Sequence, residues 1–332
     1  MKIPNCLIDL HLHLDGSLSV ASVRELARMQ NIPIPSDDRE LVKLLTVSKD
    51  CRDLNEYLDK FSFPCSLLQT REAIAFAVNT LKEELRAQGV IYAEIRFAPQ
   101  KHCEKGLTQE EVISAAIEGA QKCALPSSLI LCCMRGDDNA SENEETIRLA
   151  TKFLGKGVCA ADLAGAEALF PTRNFQHLFT FAKELGLPFT IHAGEADGPE
   201  SIQKALQFGA SRIGHGVRSV EDPALISHLS KTGIPLELCP TSNLNTAIFT
   251  DLSEYPLDTL MRQGVSVTVN TDNMTVSGTT LRREYQRLIN EAGLTKEAMA
   301  ALLRNSVYSA FADNATKDKL LQIVEAELLK MR

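Results

Sequence analysis

Eight short apolar runs recur along the chain, and longer segments of mixed polarity separate them. Several of the runs are nearly continuous rather than alternating, as is typical of parallel strands that are buried on both faces. The segments between the runs are predicted helices, and those at 69–89 and 172–186 close with a glycine, where helices commonly end. The predicted strands are CLIDLHLHL (6–14), VIYAEIRFA (90–98), SLILCCMRG (128–136), GVCAADLAG (157–165), PFTIHAG (188–194), RIGHG (212–216), PLELCPTSN (235–243) and VSVTVNTD (265–272).

This alternation predicts an α/β fold, a (β/α)8 TIM barrel that forms a single domain over residues 1–332. An open, doubly wound sheet is the alternative, but the sequence LDGS follows the first strand where that fold usually carries GxGxxG. Two regions exceed the minimal barrel. Residues 17–88 are predicted to insert several helices after the first strand, and residues 295–332 to append helices at the C-terminus.

Composition narrows the class of protein. The 332 residues are 44% hydrophobic and 23% charged, which is ordinary for a soluble globular protein, and the net charge of −8 argues against a nucleic-acid partner. The N-terminus enters strand-like sequence almost at once, and no apolar run is long enough for a membrane span, so we expect neither a signal peptide nor a membrane partner. The nine cysteines contain no CxxC pair, which favours reduced, mostly buried thiols in a cytoplasmic protein. The sequence does not indicate an oligomeric state.

Unusual polar residues stand at or just past the ends of the predicted strands. In a (β/α)8 barrel the C-terminal ends of all the strands share one rim, and that rim carries the chemistry. Residues distant in sequence are therefore predicted to converge there: His11 and His13 from the first strand, Gly165 from the fourth, His192 and Glu195 from the fifth, His215 from the sixth and Asp272 from the eighth. The other three histidines, His102, His177 and His228, fall in helical or loop segments and are predicted to be solvated or structural.

His11 and His13 are one residue apart on a strand, so both side chains point to the same face and can reach one metal ion. Each polar residue also has a plain structural interpretation. The histidines could be hydrogen-bonded core residues, Glu195 could cap the following helix, and Asp272 could stabilise a turn. Their coincidence on one predicted rim favours a functional site.

Three imidazoles and one carboxylate suit Zn²⁺ and leave a position for water. His11, His13, His192 and Asp272 are the candidate ligands. Such an ion lowers the pKa of water toward neutrality and so generates a hydroxide nucleophile. His215 could orient that water or share its proton, and Glu195 could donate a proton if burial keeps its carboxyl protonated. The predicted reaction class is metal-assisted hydrolysis.

Six motifs carry a resemblance to a known family. HLHLDGS, DLAGAE, HAGEADGPESI, RIGHG, CPTSN and NTDN occur in this order, and together they resemble the adenosine deaminase family of metal-dependent amidohydrolases over about residues 7–285. The resemblance implies one zinc ion per chain on the four candidate ligands. It makes Glu195 the acid that protonates purine N1 during attack on C6, and His215 the residue that assists the attacking water.

The resemblance also implies substrate contacts. His13 and Asp15 would contact the ribose end, and the backbone of Gly165 would donate to N3. Many members carry Asp where this chain has Asn273, whose amide can still donate to N7 at any pH. Ala166 is a second departure, at a position where an acidic residue is common.

The family's helical lid would match the segment LNEYLDKF. Its apolar residues follow the i, i+3, i+4, i+7 spacing of one helix face, which is more typical of a helix packed on the core than of pocket lining. They are therefore left out of the predicted site; they are Leu54, Tyr57, Leu58 and Phe61.

The implied function is zinc-dependent hydrolytic deamination of the purine nucleosides adenosine and 2′-deoxyadenosine, a step of purine salvage. Another 6-aminopurine (adenine, or an N6-substituted or 5′-modified adenosine) is the alternative within this class, and a non-catalytic nucleoside-binding barrel is one outside it. A third alternative is a two-metal hydrolase acting on phosphoesters or cyclic amides. Such enzymes often carry a metal-bridging lysine at the end of the fourth strand, where this chain reads DLAG.

Overall fold

The computed structural model describes residues 1–331 and contains eight parallel strands. Each of the eight predicted strands is confirmed, although all are shorter than predicted, the last two most of all. The strands are β1 (Leu7–His13), β2 (Val90–Phe97), β3 (Ser127–Met134), β4 (Val158–Ala164), β5 (Thr190–Ala193), β6 (Arg212–His215), β7 (Leu236–Leu238) and β8 (Val267–Val269).

Helices alternate with the strands, and both predicted departures from a minimal barrel are confirmed. Five helices lie between β1 and β2, namely α1 (Val20–Gln30), α2 (Asp38–Leu45), α3 (Leu54–Leu58), α4 (Ser62–Leu67) and α5 (Arg71–Ala87). The following helices are α6 (Gln109–Lys122), α7 (Ala140–Phe153), α8 (Gln176–Glu184), α9 (Pro199–Phe208), α10 (Pro223–Thr232), α11 (Pro240–Asn245), α12 (Leu257–Arg262) and α13 (Leu281–Glu291). The chain ends with α14 (Lys296–Ser309) and α15 (Asn314–Leu329).

Two narrow seams close the strands into a barrel. The strands pair in sequence order as β1–β4 and as β5–β8. At one seam Ala161 of β4 pairs with Phe189, just before β5. At the other, Leu12 of β1 pairs with Asp272, just after β8, and Asp272 exchanges two backbone hydrogen bonds of 2.7 Å with the residues on either side of Leu12. The predicted (β/α)8 barrel is therefore confirmed.

Helix α5 shows how the local sequence sets an element. Thr70 caps its N-terminus by accepting a hydrogen bond from the backbone of Ala73. The helix buries an apolar face, and its chain then turns at Gly89 with φ +84°, a conformation that glycine adopts without strain. The glycine predicted to close this segment thus lies just after the helix end.

Most cysteines are small buried residues, as predicted. All nine are free, and seven of them are buried, while Cys65 and Cys103 are partly exposed. Burial raises the pKa of the Cys6 thiol to about 12. Among residues 1–331, none of the helices combines the length and the apolar character needed to cross a bilayer.

Inside the barrel lies a buried network of five charged side chains. Arg96 of β2 donates to Asp162 of β4 at 2.8 Å and to Glu237 of β7 at 2.9 Å. Arg212 of β6 donates to Glu237 at 2.6 Å and lies 2.7 Å from a carboxylate oxygen of Glu94. All five are buried, and each charge has an opposite partner, which is the condition under which buried charges are tolerated.

Removing one cation from this network should destabilise the barrel strongly. Arg212→Met leaves three buried carboxylates with Arg96 as the one counter-charge of the network, and Glu94 loses its cationic partner, so we expect the free energy of unfolding to fall by about 3–5 kcal/mol. Urea unfolding followed by circular dichroism measures the loss. The matched control is Arg262→Met, which breaks an exposed ion pair with Asp258 and should leave the urea midpoint unchanged. Similar midpoints for the two variants would contradict the assigned role of the network.

Candidate active site

A cavity of about 470 Å³ lies at the C-terminal ends of the strands. Nine residues were predicted for the site, and eight of them line this cavity: His13, Asp15, Gly165, His192, Glu195, His215, Asp272 and Asn273. The ninth, His11, is fully buried against His13, His192 and His215. Of the remaining histidines, His102 is buried elsewhere, and His177 and His228 are exposed.

Four side chains direct ligand atoms at one point. The Nε2 atom of His192 lies 3.0 Å from that of His11 and 3.2 Å from that of His13. The Oδ1 atom of Asp272 lies 3.4 Å from the Nε2 atoms of His11 and His13. These separations match the edges of about 3.4 Å expected around a zinc ion with Zn–N bonds of about 2.1 Å.

The partners behind the histidines show that this set of residues fits a cation. Nδ1 of His11 lies 2.7 Å from Glu237, and Nδ1 of His192 lies 3.0 Å from Asp162. Because a carboxylate only accepts hydrogen bonds, each Nδ1 carries a proton, so Nε2 is the ring nitrogen left to bind an ion. Two Nε2 atoms 3.0 Å apart need a cation to share, either a proton or a metal ion, because two bare lone pairs at that distance repel.

Asp272 joins the site to the barrel seam. Its backbone pairs with β1, and its φ of +59° is unusual for a residue other than glycine. Ser242 of α11 donates to Oδ2 at 2.6 Å, which leaves Oδ1 facing the histidines. Although burial opposes it, the hydrogen bond and the charge of His11 hold the pKa of Asp272 well below its usual range. The carboxylate is therefore ionised and available as a ligand.

Glu195 has the properties of a buried acid. Its side chain is 4% exposed on the wall of the cavity, and its Oε1 atom is buried without a hydrogen-bond partner among residues 1–331. Burial raises its pKa well above the usual range, and the negative charges of Asp272 and Glu167 add to that effect. Burial therefore favours the protonated form of Glu195, and one of its oxygens is free for a ligand.

Asn243 fixes the orientation of His215, a role that sequence reasoning missed. Tyr255 donates to Oδ1 of Asn243 at 3.0 Å, so the amide nitrogen faces Nδ1 of His215, also at 3.0 Å. Nδ1 of His215 then accepts, and its proton lies on Nε2, 3.5 Å from Glu195. Burial, together with the charge of His11, lowers the pKa of His215 well below the usual range.

Glu167 is a second residue that sequence reasoning missed, although it lies within the motif DLAGAE. Its two carboxylate oxygens accept hydrogen bonds of 2.7–3.1 Å from four consecutive backbone amides, residues 194–197. Ser201 at the start of α9 adds a fifth hydrogen bond. Glu167 therefore holds the loop that presents Glu195 to the cavity.

The predicted substrate-binding residues lie on the remaining walls. Asp15 accepts from the Cys65 thiol through Oδ2, while its Oδ1 is buried without a partner in the described chain. Burial raises the pKa of Asp15 to about 6. Asn273 packs directly over Gly16, where an added Cβ would lie 1.8 Å from its Oδ1 atom, so only glycine fits there. Gly165 has a φ of +110°.

The expectation for the segment LNEYLDKF was wrong in one respect. The segment is helical, as α3 followed by a 3-10 turn at Asp59–Phe61. However, all four residues of its apolar stripe line the cavity: Leu54, Tyr57, Leu58 and Phe61. The helical spacing indicated correctly that one face is covered, but it did not indicate that this face covers a cavity.

Comparison with known proteins gives consistent results. A family model described as adenosine deaminase matches residues 6–327. An adenosine deaminase of Haemophilus ducreyi is 49% identical over 328 residues, which cover 96% of this chain and 95% of that protein. Sequence similarity therefore extends over nearly the whole length of both proteins.

Solved structures show the same architecture. An adenine deaminase from Arthrobacter aurescens has a TM-score of 0.87 at 28% identity and covers 98% of this chain and 99% of its own. An N6-mAMP deaminase from Arabidopsis has a TM-score of 0.85 at 26% identity, with 97% and 98% covered. The names of these two proteins give different 6-aminopurines, so the barrel alone does not select among them.

Loss of the Glu167 carboxylate should misplace Glu195. Glu167→Ala leaves four amides without their acceptor, and a loop displacement on the order of 1 Å should lower kcat about 100-fold. Steady-state kinetics measure the effect. Glu200→Ala, which removes an exposed carboxylate from the first turn of α9, is the matched control and should keep the wild-type kcat. A kcat within twofold of wild type for Glu167→Ala would refute the role of Glu167 in holding the loop.

Proposed function

The chain belongs to the adenosine deaminase family and is a hydrolytic deaminase, and we propose that it converts adenosine and 2′-deoxyadenosine to their inosine forms and ammonia with one zinc ion. One observation carries this proposal. Glu195, a carboxyl whose pKa is raised by burial, lines the same cavity toward which three imidazole Nε2 atoms and the Asp272 carboxylate converge. This combination supplies both a proton donor and a metal site to one small substrate.

The four converging residues would hold the ion: His11, His13, His192 and Asp272. Three nitrogen donors and one oxygen donor suit zinc, and the family is metal-dependent. When bound, the ion supplies Lewis acidity, which lowers the pKa of water toward neutrality. The carboxylates behind His11 and His192 keep both imidazoles in the tautomer that coordinates.

Glu195 would protonate N1 of the purine, and this proton makes C6 more electrophilic toward water. The unpartnered Oε1 is the oxygen available for that contact. His215 would orient the attacking water, since Asn243 fixes its ring and places the Nε2 proton on the side of Glu195. Ammonia then leaves as the C6–N6 bond breaks.

The remaining contacts would orient the nucleoside. Asp15 and His13 would contact the ribose end, the backbone of Gly165 would donate to N3, and the amide of Asn273 would donate to N7. The unpartnered Oδ1 of Asp15 is an acceptor that a ribose hydroxyl could satisfy. Turnover rates of adenosine, adenine and 5′-deoxyadenosine test the ribose contacts, because adenine lacks the ribose and 5′-deoxyadenosine lacks its 5′-hydroxyl. Preferential turnover of adenine would overturn the nucleoside assignment.

We also propose that the whole chain acts as one catalytic domain in the cytoplasm. Nine free cysteines and no disulfide within residues 1–331 are typical of proteins in a reducing compartment. A small purine is the partner that the cavity fits, since about 470 Å³ lies within the usual range for sites that bind such ligands.

Removal of the metal should abolish turnover. The purified protein should contain about one zinc ion per chain by inductively coupled plasma mass spectrometry, and a chelator should stop the ultraviolet change that accompanies adenosine conversion. His11→Ala should lower metal content as well as activity, while His177→Ala, at an exposed histidine, should change neither. Full activity of metal-free protein would refute the proposal.

Substitution of the proposed acid should separate binding from chemistry. Glu195→Gln keeps the shape but removes the proton donated to N1, so kcat should fall about 10²- to 10⁴-fold while zinc content and inosine affinity stay near wild type. Glu184→Gln, at an exposed position on α8, is the control. Near-normal turnover of Glu195→Gln would exclude the proposed acid role.

A further inference from the structure

Helix α3 covers the cavity but is packed differently from the rest of the fold. Its buried residues Leu54 and Tyr57 lie with Cys51 and Val276 in a small hydrophobic cluster that is separate from the main core. Val276 belongs to the segment after β8, so the cluster joins the inserted segment to the loop that follows the last strand. A segment held by so few apolar contacts can open without unfolding the barrel.

Tyr57 supplies the polar contact between this helix and the rim. Its side chain is 1% exposed, and its hydroxyl lies 2.7 Å from the Ser277 hydroxyl. It is also the only member of the apolar stripe that carries a polar atom, and a buried tyrosine hydroxyl usually has a hydrogen-bond partner. The tyrosine is therefore both part of the cavity wall and a hydrogen-bonded link between α3 and the segment after β8.

Ser277 is connected to the substrate-binding side of the cavity. Its backbone donates to the carbonyl of Asn273 at 2.9 Å, so residues 273–277 form one turn. The Tyr57 hydroxyl also lies beside Asn273 and Ser242, and Ser242 is the residue that donates to Asp272. A contact to Ser277 thus reaches the turn that carries Asn273 and lies next to the support of Asp272.

The chain just before α3 is tied to the same turn, residues 273–277, by separate hydrogen bonds. Val47 donates its backbone N–H to Val276 at 3.0 Å, and the Thr46 hydroxyl donates to Thr275 at 2.8 Å. These bonds precede α3 in the chain and do not involve Tyr57. They can remain in place as a hinge while the Tyr57–Ser277 bond breaks.

We propose that Tyr57 is a positioning residue whose hydrogen bond to Ser277 latches α3 over the bound purine and orders the turn that carries Asn273. The proposal rests on the deaminase function proposed above and assigns a new role within that site. The latch acts on capture of the substrate and leaves the chemical step to Glu195 and the metal. Loss of the latch should therefore raise KM and leave kcat unchanged.

A double-mutant cycle tests the latch. Tyr57→Phe and Ser277→Ala each remove one hydroxyl, and each should raise KM for adenosine about 3- to 10-fold without lowering kcat, since one buried neutral hydrogen bond is lost. The double variant should be no worse than either single variant, because both remove the same bond. Additive effects, or a loss in kcat at constant KM, would overturn the proposal.

Hydrogen exchange gives a readout that does not depend on catalysis. The backbone amides of α3 should exchange faster in both single variants, to the same extent, while the amides of the barrel strands and the thermal midpoint stay as in wild type. Unchanged exchange in α3 would also overturn the latch. Near-normal turnover of Glu195→Gln would refute the proposed chemistry but would not change the exchange result in α3. Failure of the deaminase proposal and failure of the latch are therefore distinguishable.

Tyr285→Phe is the matched control. Tyr285 is a fully buried tyrosine on α13 whose hydroxyl has no hydrogen-bond partner within the described residues. Its substitution removes the same atom without breaking a bond, so KM and exchange in α3 should stay at wild-type values. A rise in KM equal to that of Tyr57→Phe would show that the effect is nonspecific and would overturn the proposal.

Discussion

Arg96 lies fully buried between Asp162 and Glu237, and the geometry of the site depends on this arrangement. The same two carboxylates accept the Nδ1 protons of His192 and His11, so they fix which imidazole nitrogen faces the cavity. Without the guanidinium of Arg96, Asp162 would lose its cationic partner and Glu237 would keep only Arg212, and without the anions the ring tautomers would be free. The ionic interior of the barrel and the proposed metal site therefore share the same two carboxylates.

The barrel and the residues that lie on its rim could be predicted from the sequence alone. Nearly continuous apolar runs identify buried parallel strands, and the shared direction of those strands brings His13, His192 and Asp272 to one end whatever the length of the connections. The direction of the strands is enough for this prediction, and the contacts between side chains are not required. Strand direction does not identify Asn243 and Glu167, because the groups that they hold, His215 and the loop at 194–197, lie 27 residues away or more and no periodic pattern encodes these contacts.

The buried charges show the same limit. Glu94 and Arg96 are visible as charged positions inside the apolar strand VIYAEIRF, which is itself unusual. Their partners come from β4, β6 and β7, so the sequence shows that something must neutralise them but not what does. The stripe on α3 is comparable, since its spacing indicates a covered face but leaves open whether that face meets the core or a ligand cavity.

The seam between β1 and the end of β8 has a consequence for biosynthesis. His11 and His13 emerge from the ribosome early, whereas Asp272, which supplies both the closing backbone pairs and the fourth proposed metal ligand, follows some 260 residues later. A nascent chain that has not yet released its last strand has an open barrel and lacks one of the four residues proposed to hold the ion. Under that proposal the complete ligand set forms only when the barrel closes, and fragments truncated before β8 lack it.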